Sequence, residues 1–297
     1  MDDDCEIARL PEELLSAALS RTAPRDACRA AAVSAAFRAA ADSDAVWSCF
    51  LPRDLPPLAD GELDGPPAQP PSKKRQFLRL SDRPVLLADG RTSMWLDKQT
   101  GAKCYMLSAR SLGIAWGDTA RYWRWIPLTD SRSRFLEGAE LLFVCWLEIR
   151  GEIHSKMLSQ DSTYSAYIVF KIADDSYGLD YPVQASVSIG ERKSTRQVCI
   201  QDYGGEDEDE DWGENEDEVP HNYRRIMRIN RRHRAPPPGA SVLLPGNRDD
   251  GWMELELGEF CNEKGDDGVV SISLTETVRL FGKKGLIVQG IEIRAKK

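Results

Sequence analysis

The ten residues Leu141-Leu-Phe-Val-Cys-Trp-Leu-Glu-Ile-Arg150 decide how the larger part of the chain is read. Leu141, Phe143, Cys145, Leu147 and Ile149 alternate with Leu142, Val144, Trp146, Glu148 and Arg150, the period of two that sends successive side chains to opposite faces of a sheet. Toward Leu141 both faces are apolar, and toward Arg150 only one is. The spacing therefore predicts a strand over 141–150, buried on both faces at its start and on one at its end. Further β-type runs at 164–172, 185–189, 252–257, 269–274 and 286–293 are separated by Gly, Asp and Asn turns. With no amphipathic helices between them, these strands point to an antiparallel sandwich over residues 77–297. Trp146 and Trp252 fall inside strand patterns, which assigns them to the core.

Upstream the pattern changes. Residues 9–51 read as three helices. Pro11, Glu12 and Glu13 suit a first helical turn, where proline forfeits no hydrogen bond and carboxylates meet the positive end of the helix dipole. Leu14, Leu15, Ala18 and Leu19 follow as an apolar stripe. An alanine-rich second helix is expected over 24–42, and a short third over 44–50 brings in Trp47. So small a unit, residues 1–55, cannot enclose a core of its own. Its apolar side chains need cover from something else. Residues 56–76, rich in proline with Gly61 and Gly65, read as a linker.

The chain carries a net charge of -9, which argues against nucleic-acid binding through its overall field. Within residues 203–238, however, an acidic run at 206–218 is followed by a basic one at 224–234. This reads as a disordered, solvated insert, with a nuclear-import or nucleic-acid patch at Arg224, Arg225, Arg228, Arg231, Arg232 and Arg234 as the sharper alternative. Seven dispersed cysteines and three histidines offer neither a CxxC pair nor zinc-ligand spacing, so reduced thiols and no metal are expected. The acidic start and the lack of a long apolar run predict no signal peptide and no membrane span, and hence a cytoplasmic or nuclear protein. No nucleophile elbow, phosphate loop or HExxH motif appears, and paired acids such as Asp249-Asp250 sit among turn residues. Neither catalysis nor a cofactor is expected.

Two resemblances organise these features. The segment from Leu10-Pro11 through Leu14, Leu15, Cys28, Val33-Ser34 and Phe37 to Trp47 resembles an F-box. The resemblance implies docking onto the Skp-type adaptor of a cullin-RING ubiquitin ligase, with Leu10, Pro11, Leu14, Leu15, Leu19, Cys28, Val33, Ser34, Phe37 and Trp47 as adaptor-binding residues. The remainder is similar to the phloem protein two family of plant lectins. Its marks are Trp95-Leu-Asp97, the run from Cys104 to Leu112, Ile114-Ala-Trp-Gly117, Tyr122-Trp-Arg-Trp125, Trp146 to Gly151 and Gly285 to Ile293. That resemblance implies a lectin-like, jelly-roll type sandwich binding chitin-type oligosaccharides or N-glycan cores.

Sugar binding needs flat aromatic faces with hydroxyl acceptors beside them. Trp116, Trp123 and Trp125 are the candidate faces, and Asp118 and Glu254 the candidate acceptors. The whole chain thus reads as the substrate receptor of an SCF-type ligase for a glycan-bearing or protein target. The other reading is a free lectin with a role in stress or defence.

Overall fold

The computed structural model describes residues 10–62, 72–129, 134–202, 242–264 and 266–296. The charged insert expected at 203–238 lies outside the described residues.

Five helices precede the sheets: α1 (Glu12–Leu19), α2 (Pro24–Ala30), α3 (Ala35–Asp42), α4 (Asp44–Phe50) and α5 (Lys73–Asp82). The alanine-rich segment expected as one helix is two. Ser34 is extended (φ -159°) and its hydroxyl accepts the Phe37 N–H at 3.2 Å, which starts α3 afresh. Residues 73–82, part of them read as linker and part as strand, form α5. Ser72 caps it, and Phe77, Leu80 and Ser81, spaced three and four apart, form its buried face.

That face joins the helices to the sheets. Phe77 meets Trp47 at 5.2 Å between ring centroids. The buried Lys103 ammonium pairs with Asp54 at 2.7 Å. Residues 57–59 run beside 86–88, with Ala59 N–H donating to Leu86 and Ala88 N–H to Pro57. One apolar cluster runs from Leu15 in α1 to Ile293 at the far end of the chain. The cover that the small helical unit lacks is therefore supplied partly from within.

The larger sheet runs β1 (Val85–Leu86), β2 (Thr92–Leu96), β3 (Lys103–Ser108), β14 (Lys284–Ala295), β8 (Ser162–Tyr177), β12 (Met253–Asn262) and β11 (Gly246–Asn247), with β5 (Trp123–Pro127) and β6 (Glu137–Leu141) joined to β14. The smaller runs β10 (Arg192–Cys199), β9 (Pro182–Ile189), β13 (Val269–Glu276), β7 (Leu147–His154) and β4 (Gly113–Ile114). Strand pairing within both is antiparallel, for example Val269 with His154 and Ile293 with Tyr105. Neither sheet closes into a barrel.

Their inner faces pack together. At the bulge in β12 a Cβ on Gly258 would lie 2.8 Å from Val187 of the opposite sheet, so only glycine admits that approach. The expected antiparallel sandwich behind a small helical unit is the observed architecture.

The decisive stretch 141–150 differs in detail. It is not one strand: Leu141 ends β6 in the larger sheet and Leu147 begins β7 in the smaller. Residues 142–146 cross between them, tied by paired backbone bonds of Val144 to Lys283. Only from Leu147 does burial alternate strictly. The uninterrupted apolar run marks a passage between two sheets, not a strand inside one.

Candidate functional site

Two surfaces concentrate exposed apolar side chains. The first is on the helices. Pro11 stands immediately before α1, and Leu14 and Leu15 within it face different ways: Leu14 is exposed, Leu15 buried. Leu10 and Val33 are also exposed large apolar residues, and Cys28 and Pro11 reach solvent. Phe37 and Ser34 are half-buried. Leu19 and Trp47 are inside, where the Trp47 indole donates to Ala41 O at 2.6 Å. The ten candidate adaptor residues thus divide. Leu10, Pro11, Leu14, Cys28 and Val33 face outward, whereas Leu15, Leu19 and Trp47 hold the helices together.

The second surface is where the chain crosses between sheets. Trp116, in the passage from β4 to β5, is 48% exposed and adopts φ +57°, a left-handed conformation rare for a bulky residue. Its ring meets Tyr122 at 5.7 Å and, edge to face, Trp146 at 6.4 Å. Trp146 is 41% exposed, which corrects its assignment to the core: it belongs to the crossover 142–146, not to a strand. Trp252 is buried as expected.

The other tryptophans hold this surface from beneath. Trp123 is 2% exposed and its indole donates to Ala115 O at 3.1 Å. Trp125 donates to Gly117 O at 3.2 Å and lies under the Arg110 guanidinium, 3.7 Å from its ring centre. The expectation that Trp123 offers a face to a sugar therefore fails on burial, while its indole N–H fixes the loop that carries Trp116. Of the candidate acceptors, Asp118 is exposed in that loop. Nearer to hand is the Glu148 carboxylate, which accepts the Trp146 indole N–H at 2.9 Å.

Glu254 is placed elsewhere, on β12 of the larger sheet. It pairs with Arg248 at 2.7 Å and Arg294 at 2.8 Å. Both arginines also bind Glu292, whose carboxyl burial raises above the usual range despite them. Arg294 stacks 3.8 Å from the Tyr167 ring centre, beside a shallow depression of about 390 Å³ that Trp95 and Asp97 also line. Glu254 thus belongs to a charge network within the larger sheet, whereas Trp116 lies in the loop between β4 and β5.

Sequence reasoning missed Trp146 as an exposed ring and the half-buried Tyr122 beside Trp116. The signal for Trp146 was the break in alternation between Leu141 and Leu147. Among the described residues no group of three or more side chains is placed to hold a metal, and no helix is long and apolar enough to cross a membrane.

The comparisons with known proteins agree with this division. Residues 7–53 match the F-box-like family and residues 102–295 match phloem protein 2. Three proteins of Arabidopsis thaliana are similar nearly end to end. F-box protein PP2-B10 is 40% identical over 97% of this chain and 93% of its own length, and F-box protein PP2-B1 40% identical over 97% and 89%. F-box protein VBF is 35% identical over 97% and 99%. With more than half its residues matched to one family model and relatives of this identity along its length, the chain belongs to the phloem protein 2 family, in the group that carries an F-box-like module in front.

Proposed function

We propose that this chain is the substrate-recognition subunit of an SCF-type cullin-RING ubiquitin ligase. The helices dock a Skp-type adaptor and the sandwich holds a glycan-bearing or protein target. The observation that carries this reading is the exposed set Leu10, Leu14 and Val33, ahead of α1, on α1 and in the turn before α3, in a module whose Leu15, Leu19, Val46, Trp47 and Phe50 are buried. Burying each such side chain contributes about 1.5–3 kcal/mol, so a few anchors suffice for docking. Ubiquitin transfer itself is the work of other subunits in this scheme, and the complex acts in the cytoplasm or nucleus.

Co-purification of the full chain with a plant Skp-type adaptor tests the proposal. The wild type is retained, and the double variant Leu10→Ala, Pro11→Ala is lost without change in thermal unfolding. Equal retention of wild type and variant removes the assigned interface.

A second reading, carbohydrate binding, is favoured by the exposed Trp116 ring with Tyr122 and Trp146 beside it and the Glu148 carboxylate as an acceptor. Retention on a chito-oligosaccharide matrix that Trp116→Ala abolishes is the expected outcome. Retention that survives this change rules the site out.

A further inference from the structure

Apart from the helices, the most exposed apolar tip in the sandwich belongs to the connection between β13 and β14. Val278 is 87% exposed and Leu280 49%, with Arg279 between them. Glu276 pairs with Leu147 in the sheet, so this loop leaves β13 beside Trp146. The loop therefore continues the exposed surface of Trp146 and Trp116.

Its shape is held from inside. The buried Lys283 ammonium donates to Glu276 at 2.6 Å, to Phe281 O at 2.8 Å and to Cys145 O at 3.0 Å. The other Glu276 oxygen accepts the N–H groups of Arg279 at 2.7 Å and Val278 at 3.2 Å. One buried ion pair thus fixes the loop and, through Cys145, the crossover that carries Trp146. Taking two charges out of water is costly, and a loop that only reversed the chain would not need it.

Backbone strain falls in the same places. Leu280 has φ +53° and Trp116 φ +57°, two of the three non-glycine residues with positive φ among those described. Both are large apolar residues held outward. Strain of this kind persists only where the surroundings over-determine it, and it gathers at sites of binding.

Charge selects the occupant. Arg279 at the tip and Arg121, 6.0 Å from the Tyr122 ring centre, have no ion-pair partner among the described residues. In a chain of net charge -9 this end presents these two cations beside apolar side chains, with the Glu148 carboxylate taken up by Arg150 and the Trp146 indole and Asp118 as the exposed acid of the Trp116 loop. Neutral sugars supply no countercharge, and Val278 and Leu280 supply no hydrogen bonds to hydroxyls.

We infer that the 277–282 loop and Trp146 form a protein docking surface for a partner segment with bulky apolar residues flanked by Asp or Glu. The apolar residues cover Val278, Leu280 and Trp146, and the carboxylates meet Arg279 and Arg121. The inference deepens the proposed function by naming where, and in what chemistry, a target is held.

The test pans a random short-peptide library against the full chain bound to its adaptor, or the full chain alone if no adaptor binds. Enriched peptides are expected to join Leu, Phe or Trp to Asp or Glu, and to bind at least about tenfold more weakly to Val278→Asp and Arg279→Glu. Leu280→Gly separates binding from folding. Glycine relieves the left-handed strain, so the thermal midpoint holds or rises while peptide binding falls.

No enrichment, or peptides that bind all three variants as well as wild type, overturns the inference. So does a chito-oligosaccharide that binds in place of peptides and is lost in the same variants, or a self-association that Val278→Asp abolishes. Adaptor binding is measured on the same protein. Its absence alongside intact peptide binding sinks the ligase reading and leaves this surface standing.

Discussion

Lys283 and Glu276 meet at 2.6 Å with 1% and 6% of their side chains exposed, and together they organise five backbone and side-chain hydrogen bonds at one end of the sandwich. Replacing one partner leaves the other charged and buried. Lys283→Met is expected to cost about 3–5 kcal/mol in urea unfolding. Joint replacement with Glu276→Leu is expected to cost less than the two single losses added. A single variant as stable as wild type removes the pair from the account of the loop.

Glu276 also sets an acid limit. Burial pushes its carboxyl up, but the Lys283 ammonium and the Arg279 and Val278 N–H groups outweigh burial and hold it below the usual carboxylate range. A carboxylate depressed in the folded state contributes stability above its unfolded pKa, about 4.3, and loses it as pH falls through the folded value. The unfolding midpoint is therefore expected to drop as pH falls below about 4.3, and the drop is expected to be shallower in Glu276→Gln. Parallel acid profiles assign the acid limit to other groups.

Much of this arrangement was legible beforehand, because it rests on local periodicity. Leu14, Leu15 and Leu19 declare a helix, and the one-sided alternation toward Arg150 declares the half-buried strand that the structure starts at Leu147 and carries on to His154. What escaped depends on partners distant in the chain. Lys73–Asp82 looks like the end of a proline-rich linker, and its helical face acquires meaning only when Phe77 finds Trp47. Trp146 and Trp123 could not be sorted into surface and interior by spacing, since both lie next to points where the chain changes sheets. Glu254 drew attention as an acceptor because its two arginine partners are six and forty residues away.

On the helices, two neighbouring leucines should behave oppositely. Leu15→Ala opens a cavity beneath α1 and is expected to cost about 2–5 kcal/mol. Leu14→Asp is expected to change stability by no more than about 0.5 kcal/mol, because the side chain is already in water. In the proposed function it nonetheless ends adaptor binding. Chemical unfolding together with adaptor pull-down checks both, and a Leu14→Asp chain that still binds contradicts the assigned face.

The start of α3 rests on a single side-chain contact, the Ser34 hydroxyl accepting the Phe37 N–H. Ser34→Ala is expected to cost about 1 kcal/mol, the usual loss for a helix cap, whereas Ser34→Asp is expected to keep the stability. Equal losses in the two variants would assign Ser34 a packing role.

Trp123 and Trp116 give the sharpest separation between structure and recognition. Trp123 is enclosed, and its indole holds the Ala115 carbonyl in the loop that presents Trp116. Trp123→Ala removes a large buried ring and a buried hydrogen bond, for an expected loss of about 3–5 kcal/mol. Capture of any ligand at Trp116 then falls with it, because the loop has lost its support. Trp123→Phe restores most of the volume but not the N–H, so it is expected to recover more stability than ligand capture. Trp116→Ala gives up only a half-exposed ring and is expected to leave the thermal midpoint nearly unchanged while ligand capture is lost. Thermal unfolding of the three variants beside their retention on chito-oligosaccharide and peptide matrices checks this order. Should Trp116→Ala unfold as early as Trp123→Ala, the exposed ring would be part of the packing, and ligand binding would have to be sought on another surface of the sandwich.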